Sequence, residues 1–157
     1  MTIETERKYL LASDSWRADV QSSSPIVQLY LAANDRCQVR VRRYGDESFL
    51  TIKGRRSGAS RVEIETAVPA EFVDDVIAAS ELHIAPAIEK TRHLVPAGEL
   101  VFEIDEYAGA NAGLVVAEIE LPAADTEFPR PDWLGAEVTD DERYGNVYLT
   151  RFPFTSW

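Results

Sequence analysis

Charged and apolar residues alternate at every second position in one stretch of the chain after another, the period of a strand whose two faces meet different surroundings. Ile3 to Leu10 reads I-E-T-E-R-K-Y-L, with Glu4, Glu6 and Lys8 on one face and Ile3, Thr5, Arg7 and Tyr9 on the other. Val39 to Arg43 sets Arg40 and Arg42 against Val39 and Val41, and Ser48 to Lys53 sets Lys53 opposite Leu50 and Ile52. Arg61 to Ala67 sets Arg61, Glu63 and Glu65 against Val62 and Ile64, and Ile88 to Leu94 puts Lys90 and Arg92 on one face. Leu100 to Tyr107 sets Glu103 and Asp105 against Phe102 and Ile104, and Val115 to Leu121 sets Glu118 and Glu120 against Ala117, Ile119 and Leu121. With Ile26 to Leu31, the pattern predicts eight strands.

Helical spacing is rarer. Glu71 to Leu82 follows Pro69 and repeats apolar residues at Phe72, Val73, Val76 and Ile77. Thr139 to Glu142 reads T-D-D-E, a capping box that predicts a helix through Tyr144, Val147 and Tyr148 toward Phe152. Ser13 to Ser22 predicts a short helix capped by Ser13 or Asp14. Turn residues separate the strands at Gly45-Asp46, Gly54 to Gly58, Pro96 to Gly98, Gly109 to Gly113 and Pro122. No repeat, low-complexity tract or interdomain linker interrupts this order. The expectation is one mainly β domain with helices (α+β) over residues 1–157, mostly antiparallel, with helices packed on it.

Composition narrows the function. Of 157 residues, 16 are basic and 27 acidic, a net charge of −11, which speaks against nucleic acid and against an anionic membrane as partners. The lone cysteine, Cys37, can form no internal disulfide, and the chain has no CxxC for zinc. The first ten residues carry Glu4, Glu6, Arg7 and Lys8 where a signal peptide would begin its apolar core. No apolar run approaches the ~20 residues of a membrane span. These features lead us to expect a soluble, cytoplasmic protein.

A single strand with one charged face is ordinarily a half-solvated strand. The set resists that reading. All three lysines, Lys8, Lys53 and Lys90, lie on such strands, and the charges are grouped by sign. Acidic pairs stand at Glu4/Glu6, Glu63/Glu65, Glu103/Asp105 and Glu118/Glu120, and basic pairs at Arg40/Arg42 and Lys90/Arg92. Like charges two residues apart on a strand sit about 7 Å from each other and repel. If the sheet closes into a barrel, all these faces can point inward, where buried charges survive only when paired or bound. Acids together with bases suit a polyanion accompanied by hard cations. Carboxylate oxygens favour Mg2+ or Mn2+, which share phosphate oxygens, and arginine grips phosphate with a planar fork. Phosphoryl transfer needs little beyond such positioning and neutralisation. A Walker loop and a Ser-His-Asp set are both missing, and His83 and His93 read as structural.

In chain order, these residues resemble the CYTH superfamily, the triphosphate tunnel metalloenzymes. Glu4-Thr5-Glu6-Arg7-Lys8 matches the ExExK signature of that family. The match continues through R-V-R at Arg40 to Arg42, T-I-K at Thr51 to Lys53, E-I-E at Glu63 to Glu65, K-T-R at Lys90 to Arg92, E-I-D at Glu103 to Asp105 and A-E-I-E-L at Ala117 to Leu121. The tail Trp133-Leu134-Gly135-x-Glu137-Val138-Thr139, followed by Arg143-Tyr144-x-Asn146, is similar to the short bacterial members.

The resemblance implies an eight-stranded antiparallel tunnel barrel with helices outside, binding a small-molecule triphosphate with Mg2+ or Mn2+. It implies metal ligands at Glu4, Glu6, Glu118 and Glu120 with Asp105 assisting, and phosphate binders at Lys8, Arg40, Arg42, Lys53, Lys90 and Arg92. Glu63 and Glu65 would line the tunnel, orienting the bases or holding a second metal, and Glu103 would stand behind the ligands with no role of its own assigned. Lys8 and Glu120 are the catalytic candidates, with water activated near Glu118 and Glu120 favoured over Lys8 as a general base, because nearby Glu4 and Glu6 should raise the Lys8 pKa. Inorganic tripolyphosphate is the expected substrate, since a short chain leaves little sequence for reading a base or a thiamine ring. The alternatives are a class IV-like adenylate cyclase, a thiamine triphosphatase and a non-enzymatic polyphosphate-binding module. Gly109, Asn111 and Gly113 read as a turn, Tyr30, Tyr107 and Tyr144 as packing residues, and Arg55, Arg56 and Arg61 as a solvated or anion-guiding loop. The apolar Phe152, Phe154 and Trp157 suggest a tail docked on the barrel or a homodimer contact.

Overall fold

The computed structural model describes residues 1–157, apart from the side chain of Ala85. Strands β1 (Thr2–Leu11), β2 (Ser22–Ala33), β3 (Cys37–Tyr44), β4 (Glu47–Gly54) and β5 (Ser60–Ala67) precede helix α1 (Ala70–Ala78). Strands β6 (Ile84–Ala97), β7 (Leu100–Tyr107), β8 (Val115–Glu120) and β9 (Leu134–Glu137) follow, and helix α2 (Asn146–Arg151) comes last. The order β5-β4-β3-β2-β6-β7-β8-β1 is antiparallel throughout, and a pairing of β1 with β5 closes it into an eight-stranded barrel.

Strand β1 makes the closure by dividing its length. Thr2 to Thr5 pair with β5, and beyond them Tyr9 and Leu11 pair with β9. Glu6 to Leu10 pair with β8 across the other edge. The short β9 lies so close that a Cβ on Gly135 would come within 2.8 Å of the Leu10 carbonyl oxygen, so only glycine fits there.

The strand period sorts the side chains. Tyr9, Phe102, Ile104, Ala117 and Ile119 point outward and are covered by Trp16 and Trp133, with Phe128 packed against them. The Phe102 ring meets Trp133 edge-on at a centroid distance of 5.0 Å. Leu29 and Val41 form a second outer cluster under Val76 of α1. A third cluster, Ile88, Tyr107, Leu114 and Val116, is sealed by Leu149 of α2. Cross-strand register places Ile88, Tyr107 and Val116 on the same face as Lys90, Asp105 and Glu118, so this cluster closes one end of the charged bore.

The structure corrects several expected boundaries. The helix expected over Ser13 to Ser22 is a single 3-10 turn, Ser15–Asp19, and the serines at 22–24 open β2. The helix expected over Glu71 to Leu82 ends at Ala78 and resumes as a 3-10 turn at Ser80–Leu82. The helix expected from Thr139 is a 3-10 turn, Glu142–Tyr144, then α2, with Gly145 extended between them. The Thr139 hydroxyl is taken by the Lys8 backbone N–H, and Asp141 caps the turn instead, accepting from the Arg143 N–H. Strands β2 and β6 outrun their expected spans because Pro25 and Pro86 mask strand character. Pro86 falls between the pairs Gln28–Ile88 and Tyr30–Ile84, where β6 carries two extra residues and bulges.

Candidate active site

Eight carboxylates (Glu4, Glu6, Glu63, Glu65, Glu103, Asp105, Glu118 and Glu120) and eight bases (Lys8, Arg40, Arg42, Lys53, Arg56, Arg61, Lys90 and Arg92) gather in and around the bore. They balance each other, so the net charge of −11 belongs to the rest of the molecule. The cavity they surround measures about 840 Å³. Its rim is built from the β2–β3 turn at Asn34 and Asp35, the β4–β5 loop at Arg55 and Gly58, and the segment from Val138 to Phe152.

The deepest group joins β1, β6, β7 and β8. The Asp105 side chain is wholly buried and is held by Lys90 and by two nitrogens of Arg92, at 2.8 Å each. Arg92 also reaches Glu103 and, at 3.0 Å, Glu118, whose other oxygen accepts from Lys8 at 2.8 Å. Burial alone would raise the Asp105 and Glu118 pKa values, but Arg92 and Lys90 outweigh it at Asp105, as Lys8, Lys90 and Arg92 do at Glu118, and both are lowered. Burial would lower the Lys8 pKa, yet Glu118 and then Glu6 raise it, so Lys8 stays protonated. Its Nζ also donates to the Tyr144 carbonyl at 3.0 Å, tying the segment ahead of α2 to the bore.

A second group joins β1, β4 and β5. Lys53 donates to Glu4 at 2.6 Å and approaches Glu63 at 2.8 Å, Arg61 donates to Glu4 at 2.7 Å, and Arg56 holds Glu6. Burial opposes ionisation of Glu4, but Lys53 and Arg61 prevail and bring its pKa down to about 2. Glu120 differs. It faces Glu6 directly across the β1–β8 pairing, and none of the ion pairs among the described residues includes it. Burial first, then repulsion from Glu4, Glu63 and Glu6, raises its pKa. A surplus of carboxylate oxygen at this spot suits a hard divalent cation. No three described His, Cys, Asp or Glu side chains converge as a ready-made ion cage, because arginines and lysines hold most of the acids.

A third group lies on β3 to β5. Glu65 accepts from Thr51 at 2.7 Å and from Arg42 at 3.3 Å, and lies 3.6 Å from Arg40. The Nε atoms of both Arg40 and Arg42 are buried without a protein partner. Burial and then Arg40 lower the Arg42 pKa, a strain that an anion between the two guanidiniums would relieve.

The structure thus brings the residues singled out from the sequence to one bore, but in three groups. Glu118 and Asp105 stand with bases rather than with Glu4 and Glu6. Arg56 and Arg61, read from the sequence as loop residues, reach inward to Glu6 and Glu4. The alternation from Arg61 through Glu63 to Glu65 already carried that signal for Arg61. Thr51 and Gln28 were missed because neutral residues leave no charge pattern. Gln28 is fully buried, and its Oε1 has no partner. Tyr30 lines the cavity, whereas Tyr107 and Tyr144 pack in or against the cluster under α2. Gly109 and Gly113 take positive φ, as their turn requires, and Asn111 accepts from the Phe154 backbone N–H.

Known proteins resemble this chain in sequence and in fold. The chain is 36% identical over 154 residues to an inorganic triphosphatase of Acetivibrio thermocellus, covering 98% of this chain and 97% of that one. It is 35% identical over 151 residues to an inorganic triphosphatase of Nitrosomonas europaea, covering 93% and 95%. A crystal structure of an inorganic triphosphatase superposes with a TM-score of 0.64 at 32% identity, covering 96% of this chain and 95% of that one. The CYTH domain family matches residues 2–147, from the first bore-facing acids of β1 to the start of α2, and the chain belongs to that family.

Proposed function

We propose that this protein hydrolyses the terminal phosphoanhydride of a triphosphate, with inorganic tripolyphosphate as its first substrate. The observation that carries the reading is the split within one cavity: carboxylates in surplus around Glu120, and guanidinium Nε–H groups without partners at Arg40 and Arg42. A phosphate chain accompanied by a hard cation complements both halves at once. The names of the relatives agree with this substrate.

Glu120 and Glu6, opposite each other across β1 and β8, with Glu4 and Glu63 nearby, are the residues that would hold a divalent ion, Mg2+ or Mn2+, in exchange for part of their contacts with Arg56, Arg61 and Lys53. Such an ion would neutralise phosphate charge and acidify water at the site. Arg40, Arg42 and Lys53 grip the phosphate chain and take up the charge that grows on the leaving pyrophosphate. Lys8, protonated and fixed between Glu118 and the Tyr144 carbonyl, binds phosphate rather than removing a proton. Asp105, Glu103 and Glu118 keep Lys90 and Arg92 in place.

Phosphorus NMR of tripolyphosphate incubated with the protein and Mg2+ tests the reading. The expected products are phosphate and pyrophosphate in equal amounts, and ATP should yield no cyclic AMP. Cyclic AMP as the main product from ATP would replace hydrolysis with cyclisation.

A further inference from the structure

Seven of the eight bases around the bore stand on strands, and Arg56 alone of them comes from a loop, the one between β4 and β5. Its guanidinium reaches back to the carboxylate of Glu6 on β1, the acid that faces Glu120 across the β1–β8 pairing. A positive charge from the loop thus stands against one of the two carboxylates that repel each other there.

The loop is fastened beyond Arg56. Ser57 and Ser60 exchange backbone hydrogen bonds at 2.8 and 3.2 Å around Gly58, which takes positive φ. The Ala59 carbonyl accepts from the Glu6 N–H at 3.1 Å, and the Ser60 and Thr5 hydroxyls meet at 2.7 Å, so the turn is pinned to β1. Among the described residues, no backbone hydrogen bond holds Arg55 or Arg56, and Glu6 is the one acid that pairs with Arg56. The Arg56 side chain keeps 31% of its surface exposed, against 13% for Glu6. Arg61 is committed elsewhere: β5 carries it, its Nε donates to Glu4 at 2.7 Å, and Glu6 lies 3.7 Å from its other end.

A guanidinium and a divalent ion cannot share one carboxylate oxygen of Glu6 without repelling each other. A phosphate group offers a guanidinium two parallel hydrogen bonds, whereas Glu6 accepts one from Arg56. We infer that Arg56 is a built-in counter-ion of the metal site, neutralising Glu6 until a divalent ion takes that carboxylate and then passing to the phosphate chain in the same cavity. This rests on the triphosphatase reading above and adds a coupling to it. The ion frees Arg56 for phosphate, and phosphate draws Arg56 away from Glu6, so each tightens the binding of the other.

The test measures Mn2+ binding without substrate, by electron paramagnetic resonance, and KM for tripolyphosphate at saturating Mn2+. Arg56→Gln should bind Mn2+ about fivefold more tightly than the wild type and show a KM about tenfold higher. Arg56→Lys keeps the charge beside Glu6, so its Mn2+ affinity should stay near the wild-type value while the lost fork raises KM. Arg43→Gln removes an arginine that pairs with Asp74 of α1, away from the cavity, and should move neither quantity. Mn2+ binding by Arg56→Gln that is unchanged or weaker would overturn the counter-ion, and tighter binding with a wild-type KM would overturn its passage to phosphate. A wild type that binds Mn2+ but leaves tripolyphosphate intact would overturn the triphosphatase reading beneath, and the Mn2+ titration of Arg56→Gln would still decide the counter-ion.

Discussion

Lys8 on β1 and Glu118 on β8 are direct cross-strand partners, and their charged ends close to 2.8 Å inside the bore. Two positions along β8, Glu120 faces another acid, Glu6. One pairing is complete within the protein, while the other sets like charges opposite each other, a repulsion that a cation would relieve under the function proposed above. The two glutamates therefore have opposite effects on the protein without ions. Glu118→Gln should cost about 3–5 kcal/mol in urea unfolding, because it leaves Lys8 and part of Arg92 uncompensated. Glu120→Gln should leave stability in EDTA unchanged or slightly higher and abolish metal-supported turnover. Equal destabilisation by both substitutions would contradict the division drawn here.

Arg42 faces the cavity with one nitrogen engaged by Glu65 and its Nε unpartnered. Arg42→Lys keeps the charge and loses the fork, so KM for tripolyphosphate should rise about tenfold with a smaller change in kcat. Arg42→Ala should raise it further, and the remaining binding should weaken steeply with added salt. Steady-state phosphate release at two ionic strengths reads both effects. A lysine variant with wild-type KM would remove the fork from the account.

The pH dependence of stability has two signs. Lys53 and Arg61 hold Glu4 at about 2, below its ordinary 4.5, and Asp105 and Glu118 are also lowered. A lowered carboxyl pKa stabilises the fold above the unfolded value, and that stabilisation is lost as pH falls through the folded value. Glu103 and Glu120 are raised, so they add stability as pH falls toward about 4.5. In EDTA the melting temperature should thus climb slightly from neutral pH toward about 5 and drop steeply from about 4.5 down to about 2. Glu120→Gln should remove part of the climb and leave the drop. A melting temperature flat from pH 7 to pH 3 would contradict the ion pairs of the bore.

Much of this was legible in the sequence because a strand has a period of two and a barrel turns one of its faces inward. Val41 and Arg42, or Ile104 and Asp105, announce opposite faces by chemistry alone. Legibility failed where chemistry and geometry part. The sequence shows that Glu118 and Glu120 share a face, but not that Lys8 neutralises one and Glu6 opposes the other, since that depends on the register of β1 against β8. Strand β9 was invisible because four residues containing a glycine carry no period. The capping box at Thr139 misled because its hydroxyl is used by another strand. Phe152 and Phe154 look alike in the chain, and only packing separates Phe154, set against the cluster under α2, from the exposed Phe152.

If the inward-facing charges hold a phosphate chain together with a divalent cation, turnover must follow the ion. Phosphate release from tripolyphosphate, followed while free Mg2+ or Mn2+ is titrated against EDTA in the wild type and in Glu120→Gln, tests it most directly. The expected result is saturable activation by the ion, complete loss in EDTA, and a Glu120→Gln protein that binds the ion weakly and has lost its metal-supported turnover. Turnover that persists in EDTA, or a Glu120→Gln enzyme with wild-type rate and ion affinity, would contradict it.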